Sequence, residues 1–423
     1  MPVAMKGIVK LEMEGNMRSL YEVVIVGAGP AGCSGAIHLK RLGIDVLLLD
    51  KAAFPRDKIC GDGIPSKAFP LLEELGIEMD EFLSKGYQVH QTRMYSPDFN
   101  VVSYGSADHG SAAKSMCLPR KDFDSWLFER AIEIVGQVQT EAEVVKISKK
   151  SKDEHTLLVR NSNTASFYEI ATKMIIGADG VYSCIAREGN LVPANNEHRF
   201  DGLRAYFRNH HFDPVIHIFY DKLTLPGYAW VFPVSSTVAN VGMIVTRNNR
   251  QRTGKNARSI FKELQTNHPV LNELLKRASM ISDMRDRALK LGSLKGPRTD
   301  DGIVLVGDAA SFINPLTGGG IFNALLSAKQ AAIIVADCLK KRDTLEKALL
   351  CYENWWKETL GPSFYYSSLM KRFLENERRA NWWFSRCSQH RTLANFFLSI
   401  YGNPVSRLFF LNPLYWLKLA LMK

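Results

Sequence analysis

Apolar positions along the 423-residue chain fall into two kinds of run. The first kind is continuous. Glu22–Gly27 carries Val23, Val24, Ile25 and Val26 in succession, which predicts a strand buried on both faces, as in a parallel sheet. Glycines follow, then an apolar helix to about Leu42, which Gly43 ends. Asp45–Asp50 reads as a second strand directly behind it. Strand, helix and strand within about 30 residues make a βαβ unit with a right-handed crossover. Met174–Gly180 and Ile303–Ala309 repeat the continuous pattern, and each carries a carboxylate, Asp179 or Asp308, at its C-terminal end. Ligands of open α/β sheets sit at such strand ends. The second kind of run alternates. From Arg204 to Val245 aromatic and polar residues take turns, as antiparallel strands do, and Ala257–Ala278 reads as helical.

Composition narrows the class. At 46% hydrophobic and 23% charged the chain has ample apolar content for a core, which excludes disorder as its main state. It has no stretch of about 20 uninterrupted apolar residues, so no membrane span is expected. Residues 1–20 mix lysines and glutamates, lack the apolar heart of a signal peptide and are set aside, with Met17 a candidate start. Seven cysteines contain no Cys-x-x-Cys pair, so neither a zinc site nor a thioredoxin-type redox pair is expected, and no residue is assigned to a metal. Free thiols suit a reducing compartment, hence a cytoplasmic setting. The net charge of +11 permits contact with anionic partners, but no nucleic-acid-binding module accompanies it, and none is expected to bind.

Two motifs carry chemistry. Gly27-Ala-Gly29-Pro30-Ala31-Gly32 follows a strand and opens a helix. Its first glycine makes the turn, its second admits a pyrophosphate, its third allows helix and strand to pack, and the helix N-terminus favours the negative charge. Asp50, beside Lys51, ends the next strand, where a carboxylate accepts ribose hydroxyls. The second motif runs from Gly307-Asp308 through Pro315, Thr317, Gly318, Gly319 and Gly320 into the helix Ile321–Leu339. Asp308 suits a ribityl hydroxyl, and the loop offers free N–H groups to the charge of a reduced flavin. The two motifs lie about 280 residues apart in sequence, and FAD is long enough to bridge them.

With these residues in place the chain resembles the geranylgeranyl reductase family, among flavoproteins that include aromatic hydroxylases and flavin halogenases. Besides the two motifs, the resemblance rests on Phe54-Pro-Arg-Asp-Lys-Ile-Cys-Gly61, Arg120 with Phe123-Asp124, Gly177-Ala-Asp-Gly180 and Tyr228-Ala-Trp-Val-Phe-Pro233. It implies an α/β fold: a Rossmann-type, glutathione-reductase-like FAD domain in pieces 21–85, 110–200 and 290–350. An antiparallel-sheet substrate domain, 86–109 and 201–289, is inserted, and 351–423 forms a helical C-terminal region. It further implies FAD, with NADPH or NADH as donor, and saturation of isoprenoid double bonds. Arg120 and Asp179 would lie beside FAD, Cys60 and Gly61 near the flavin ring, and Tyr228, Trp230 and Pro233 would face it as substrate contacts. Cys60 is the catalytic candidate, because an isolated alkene that takes a hydride on one carbon needs a proton on the other; the competing reading is a small buried hydrophobe. Many members read Cys-Gly-Gly-Gly where this chain has Cys60-Gly61-Asp62-Gly63, a form that resembles menaquinone-reductase-like members. Halogenases carry Trp-x-Trp-x-Ile-Pro where this chain has Tyr228, Trp230 and Phe232. A flavin monooxygenase acting on an apolar substrate remains the alternative on the same scaffold. There is no second GxGxxG, so a nicotinamide would bind transiently, or an electron-carrier protein would replace it.

Residues 351–423 hold ten Lys/Arg against four Asp/Glu and the pairs Trp355-Trp356, Tyr365-Tyr366, Trp382-Trp383 and Tyr415-Trp416. Amphipathic rings on a basic background suit a peripheral membrane contact, with Asn412–Met422 a short interfacial helix. The opposing reading is a cap that buries its aromatics.

Overall fold

A computed structural model describes residues 20–105, 115–151, 154–191, 199–292 and 295–390, with Leu393, Ala394 and Phe397. The expected helix Asn412–Met422 and the N-terminal extension lie outside the described residues. The α/β expectation holds. Five strands run parallel in the order Ile303–Leu305, Phe167–Gly177, Tyr21–Val26, Val46–Leu49, Val138–Gln139. Tyr21–Val26 is central, and Val23, Val24 and Ile25 have no exposed surface, as a strand covered on both faces requires. The antiparallel strands Ala142–Ser151 and Glu154–Asn161 extend the sheet from Phe167–Gly177. The helix Pro30–Arg41 packs against both Ile321–Leu339 and Arg120–Val135. Gly35 keeps that contact close, since a Cβ there would lie 3.7 Å from the Ala328 Cβ on the facing helix. Ile321–Leu339 is the one described helix long and apolar enough to cross a membrane, and half of its most apolar window is buried inside the protein.

The second sheet runs Ser279–Met280, Arg199–Arg208, Val238–Thr246, Ala229–Pro233, Val215–Phe219, Gln91–Tyr95, Val101–Gly105, with Arg285–Lys290 also paired to Arg199–Arg208. One face joins a cluster with the C-terminal helices Gly361–Leu374 and Glu377–Gln389. The other is covered by Ala257–Asn267 and Pro269–Leu275. The helix expected over 257–278 is therefore two helices. Pro269 cannot continue the first, since it lacks an N–H, and it opens the second at its first turn, where the His268 ring accepts from Leu271 N at 3.4 Å. The run expected to stay extended to Ala309 ends at Leu305, and Gly307–Ala310 turns as a 3₁₀ helix. In the C-terminal region Trp356 and Trp383 are 0% and 1% exposed, so these two rings are core, not surface.

Candidate active site

The dinucleotide turn is built as its glycines require. Gly27 has φ +103, and a Cβ there would lie 2.5 Å from Ala178 O. A Cβ on Gly32 would lie 1.7 Å from Gly27 O, so the turn and the helix touch backbone to backbone. A Cβ on Gly29 would meet only the Arg56 Nη2, 3.4 Å away, which leaves the phosphate side of the turn open and basic. Asp50 is 6% exposed and receives Ala28 N at 2.7 Å on one oxygen and Ala52 N at 2.9 Å on the other. Each oxygen keeps a lone pair for a ribose hydroxyl. Pro30 stands at the first position of its helix, Ala31 packs under Gly307, and Lys51 is exposed.

At the other end Gly307, with φ +57, brings Asp308 against the loop. The Asn314 amide oxygen holds Leu316 N and Thr317 N at 3.0 and 2.9 Å, and Thr317 Oγ1 accepts Gly319 N at 3.1 Å. The loop then delivers Gly318, Gly319 and Gly320 to the start of Ile321–Leu339, where free N–H groups and the helix dipole face a cavity. Lys58 donates to Asp308 at 2.9 Å, and although burial opposes it, this ammonium holds the Asp308 carboxyl below its ordinary range.

The cavity, of about 280 Å³, lies between this loop and the second sheet. Its apolar wall is Ile216, Ile218, Tyr228, Trp230 and Phe232, with Leu289 and Ile313. Ile218 and Trp230 are directly paired across neighbouring strands, so they share a face. The Tyr228 hydroxyl donates to Thr317 O and ties this wall to the flavin loop. Ser363 of Gly361–Leu374 reaches the same cavity.

Cys60 and Gly61 line the cavity beside Arg120. Arg120 is 3% exposed and makes a bidentate pair with Asp124, Nε at 2.6 Å and Nη2 at 2.8 Å, while Arg56 donates to Asp124 at 2.8 Å. Burial disfavours the Arg120 charge, but Asp124 and the Cys60 sulfur facing it hold its pKa above the ordinary value.

Three expected site residues stand apart from the cavity. Pro233 is one step out of phase with Tyr228 and Trp230, because a strand alternates its faces, and it lines a cavity on the rear of the sheet. Phe232 occupies the wall instead. Asp179 lies against the dinucleotide turn, since a Cβ on Gly27 would come 2.8 Å from its Cα, and its carboxylate accepts Ser183 Oγ at 2.5 Å and Cys184 N at 2.6 Å at the start of Cys184–Glu188. Pro315 is buried and does not line the cavity, unlike its neighbours Asn314 and Thr317.

Sequence reasoning passed over a polar cluster beneath Cys60. Asp62, fully buried with φ +64, accepts Tyr206 Oη at 2.6 Å, Asn240 Nδ2 at 2.6 Å and Arg120 N at 3.2 Å. Burial pushes its pKa up to about 6 against these donors. A lone asparagine in the apolar run Val238–Thr246 was the available signal, since a buried amide needs partners. Among the described residues no His/Cys/Asp/Glu group is arranged to hold a metal.

The residues present fit FAD: a glycine cradle with Asp50 at one end, and Asp308 with a helix N-terminus at the other. The FAD binding domain family matches residues 20–353. Digeranylgeranylglycerophospholipid reductase 2 of Methanopyrus kandleri is 31% identical over 367 residues, 82% of this chain and 85% of that protein. The digeranylgeranylglycerophospholipid reductase of Methanosarcina acetivorans is 29% identical over 380 residues, 85% and 86% of the two chains. A geranylgeranyl bacteriochlorophyll reductase-like protein from Thermoplasma acidophilum shares the fold with TM-score 0.78 at 24% identity, over 90% of this chain and 96% of that one. The flavin-dependent brominase Bmp2 does so with TM-score 0.76 at 19% identity, over 91% and 94%. The chain belongs to the geranylgeranyl reductase family of FAD-dependent oxidoreductases.

Proposed function

We propose that this enzyme saturates carbon–carbon double bonds in the prenyl chain of an isoprenoid lipid or quinone. The observation that carries the reading is the cavity, where an aliphatic and aromatic wall faces the flavin loop with Cys60 at the boundary. The relatives named as reductases of geranylgeranyl phospholipids support it. Each buried prenyl CH₂ contributes about 0.8 kcal/mol, so a wall of this kind holds a chain that offers no polar handle. Trp230 and Ile218 orient the alkene and exclude water, and Ile216 holds the chain. Gly27, Gly29, Gly32 and Asp50 hold the adenosine diphosphate end of FAD, with Arg56 beside them. Asp308 and the Thr317–Gly320 loop hold the ribityl chain and the ring.

Reduced FAD, when bound, supplies a hydride to one alkene carbon. The opposite carbon needs a proton, and Cys60 is the acid at the cavity wall that is placed to give it. Arg120 stabilises the sulfur left behind, and water reprotonates it. NADPH or NADH replenishes the electrons, binding transiently. The chain acts at a lipid surface, reached through the C-terminal region, where Tyr365 and Leu369 stand exposed four residues apart on one helix.

The test is Cys60→Ala. The variant keeps its flavin spectrum and loses alkene reduction. Unchanged turnover removes Cys60 from the mechanism.

A further inference from the structure

We propose that Asp62, Asn240 and Tyr206 are positioning residues that fix the Cys60 loop, and with it the thiol, against the prenyl wall. The proposal deepens the reductase reading and rests on it for the identity of the reaction.

Asp62 occupies the left-handed region at φ +64, which L residues avoid and glycine enters freely. A side chain retained there against the backbone's preference needs a reason, and the hydrogen bonds supply one. The carboxylate has no exposed surface and receives three donors from three elements: Tyr206 on Arg199–Arg208, Asn240 on Val238–Thr246, and the Arg120 amide at the start of Arg120–Val135.

The Asn240 amide is fully committed. Its Nδ2 donates to Asp62 Oδ2 at 2.6 Å and to the Cys60 carbonyl at 2.7 Å, and its Oδ1 accepts Trp230 Nε1 at 2.9 Å. One side chain thus ties the thiol's own backbone to the indole of the cavity wall. On the other side of Cys60, Arg204 Nη2 holds Asp57 at 2.9 Å and the Lys58 carbonyl at 3.3 Å. The loop is therefore pinned to the second sheet both before and after the cysteine, so a substrate that presses on Trp230 presses on the thiol's support.

The charged and titratable groups facing Asp62 are Tyr206 and Arg204 from one strand, Arg120 from its helix, and Cys117 from Ser115–Cys117. All three hydrogen-bonding neighbours donate, so protonating the carboxylate removes an acceptor and loosens the cluster. The group titrates at about 6 because burial opposes its charge.

The experiment is alkylation of the full-length, FAD-loaded protein by iodoacetamide without substrate, with each cysteine followed by peptide mass spectrometry. Cys351 is exposed and serves as the internal standard, and buried Cys33 reports unfolding. In Asp62→Gly, which relieves the backbone but removes the acceptor, Cys60 labels about tenfold faster, as it does in Asn240→Ala, while Cys351 is unchanged and the flavin band is retained. An unchanged or slower Cys60 rate overturns the proposal. If Cys33 becomes reactive in Asp62→Gly, the milder Asp62→Asn is read by the same criterion. In turnover, the wild type loses kcat as pH falls through about 6 with KM little changed, and Asp62→Asn has no such limb. Identical acid limbs in the two proteins also overturn the proposal. Because alkylation needs no substrate, a faster Cys60 rate in a protein inactive on prenyl lipids removes the reductase reading and leaves the positioning cluster standing.

Discussion

Removing Asp124 tests whether the charge network under the flavin site is structural. Asp124 has no exposed surface, and Arg120, its bidentate partner, is 3% exposed. Asp124→Ala deletes three charge-assisted bonds: Arg120 Nε at 2.6 Å, Arg120 Nη2 at 2.8 Å and Arg56 Nη1 at 2.8 Å. It leaves a guanidinium buried without its counter-charge. Breaking a buried pair in this way costs about 3–5 kcal/mol, a large share of the roughly 5–15 kcal/mol that holds a protein folded. Asp124→Asn keeps one acceptor oxygen and costs about 1–3 kcal/mol. Glu81→Gln is the control: its pair with Lys85 is 54% and 45% exposed, and its loss costs at most about 0.5 kcal/mol. The assay is urea unfolding followed by tryptophan fluorescence, with the transition midpoints compared. The sign with pH also follows. Burial opposes it, but Arg120 holds the Asp124 carboxyl below its ordinary 3.8. Its contribution is therefore complete above 3.8 and disappears as pH falls through the lower folded value, so the gap between wild type and Asp124→Ala is the same at pH 7 and pH 5. A midpoint in Asp124→Ala no lower than in Glu81→Gln refutes the reasoning.

Three further outcomes are expected. Gly32→Ala places a Cβ 1.7 Å from Gly27 O, so the purified protein lacks the yellow flavin band, whereas retained flavin contradicts the pyrophosphate assignment. Ile216→Ala thins the apolar wall and raises KM for a prenyl substrate about tenfold with kcat nearly unchanged, measured by steady-state kinetics; an unchanged KM takes Ile216 out of the substrate path. His268 is 1% exposed, and burial lowers its pKa from 6.5 to about 4, so it is neutral when folded and stability is lost as pH falls below 6.5. By pH 5 that loss is about 2 kcal/mol, and His268→Gln escapes it; equal pH dependence of the two melting curves contradicts this.

How far the sequence carries depends on the range of each interaction. The Gly27–Gly32 turn, its strand and Asp50 lie within one βαβ unit, and glycine at φ +103 is a local requirement that a motif records. The wall residues Tyr228 and Trp230 were legible as alternating positions, but Pro233 was assigned to their face against that same alternation. Asp179 looked like a ligand because it ends a strand. Its carboxylate also meets Ser183 and Cys184, only four and five residues away. The Asp62 cluster was beyond local reading, since its partners lie 144 and 178 residues distant, paired on neighbouring strands of the second sheet, and meet Asp62 only when the Cys60 loop docks on that sheet. For the same reason Trp356 and Trp383 read equally as interfacial and as core until the helices around them were placed.

The central claim is that reduced flavin in this cavity is oxidised by a prenyl alkene. The direct measurement reduces the FAD-loaded protein without oxygen, adds a geranylgeranyl lipid, and follows the flavin band together with product mass. The account predicts that the band returns and the product gains two hydrogens per double bond. A flavin that stays reduced until oxygen enters, followed by oxygen in the product, contradicts it and assigns the chain to monooxygenation.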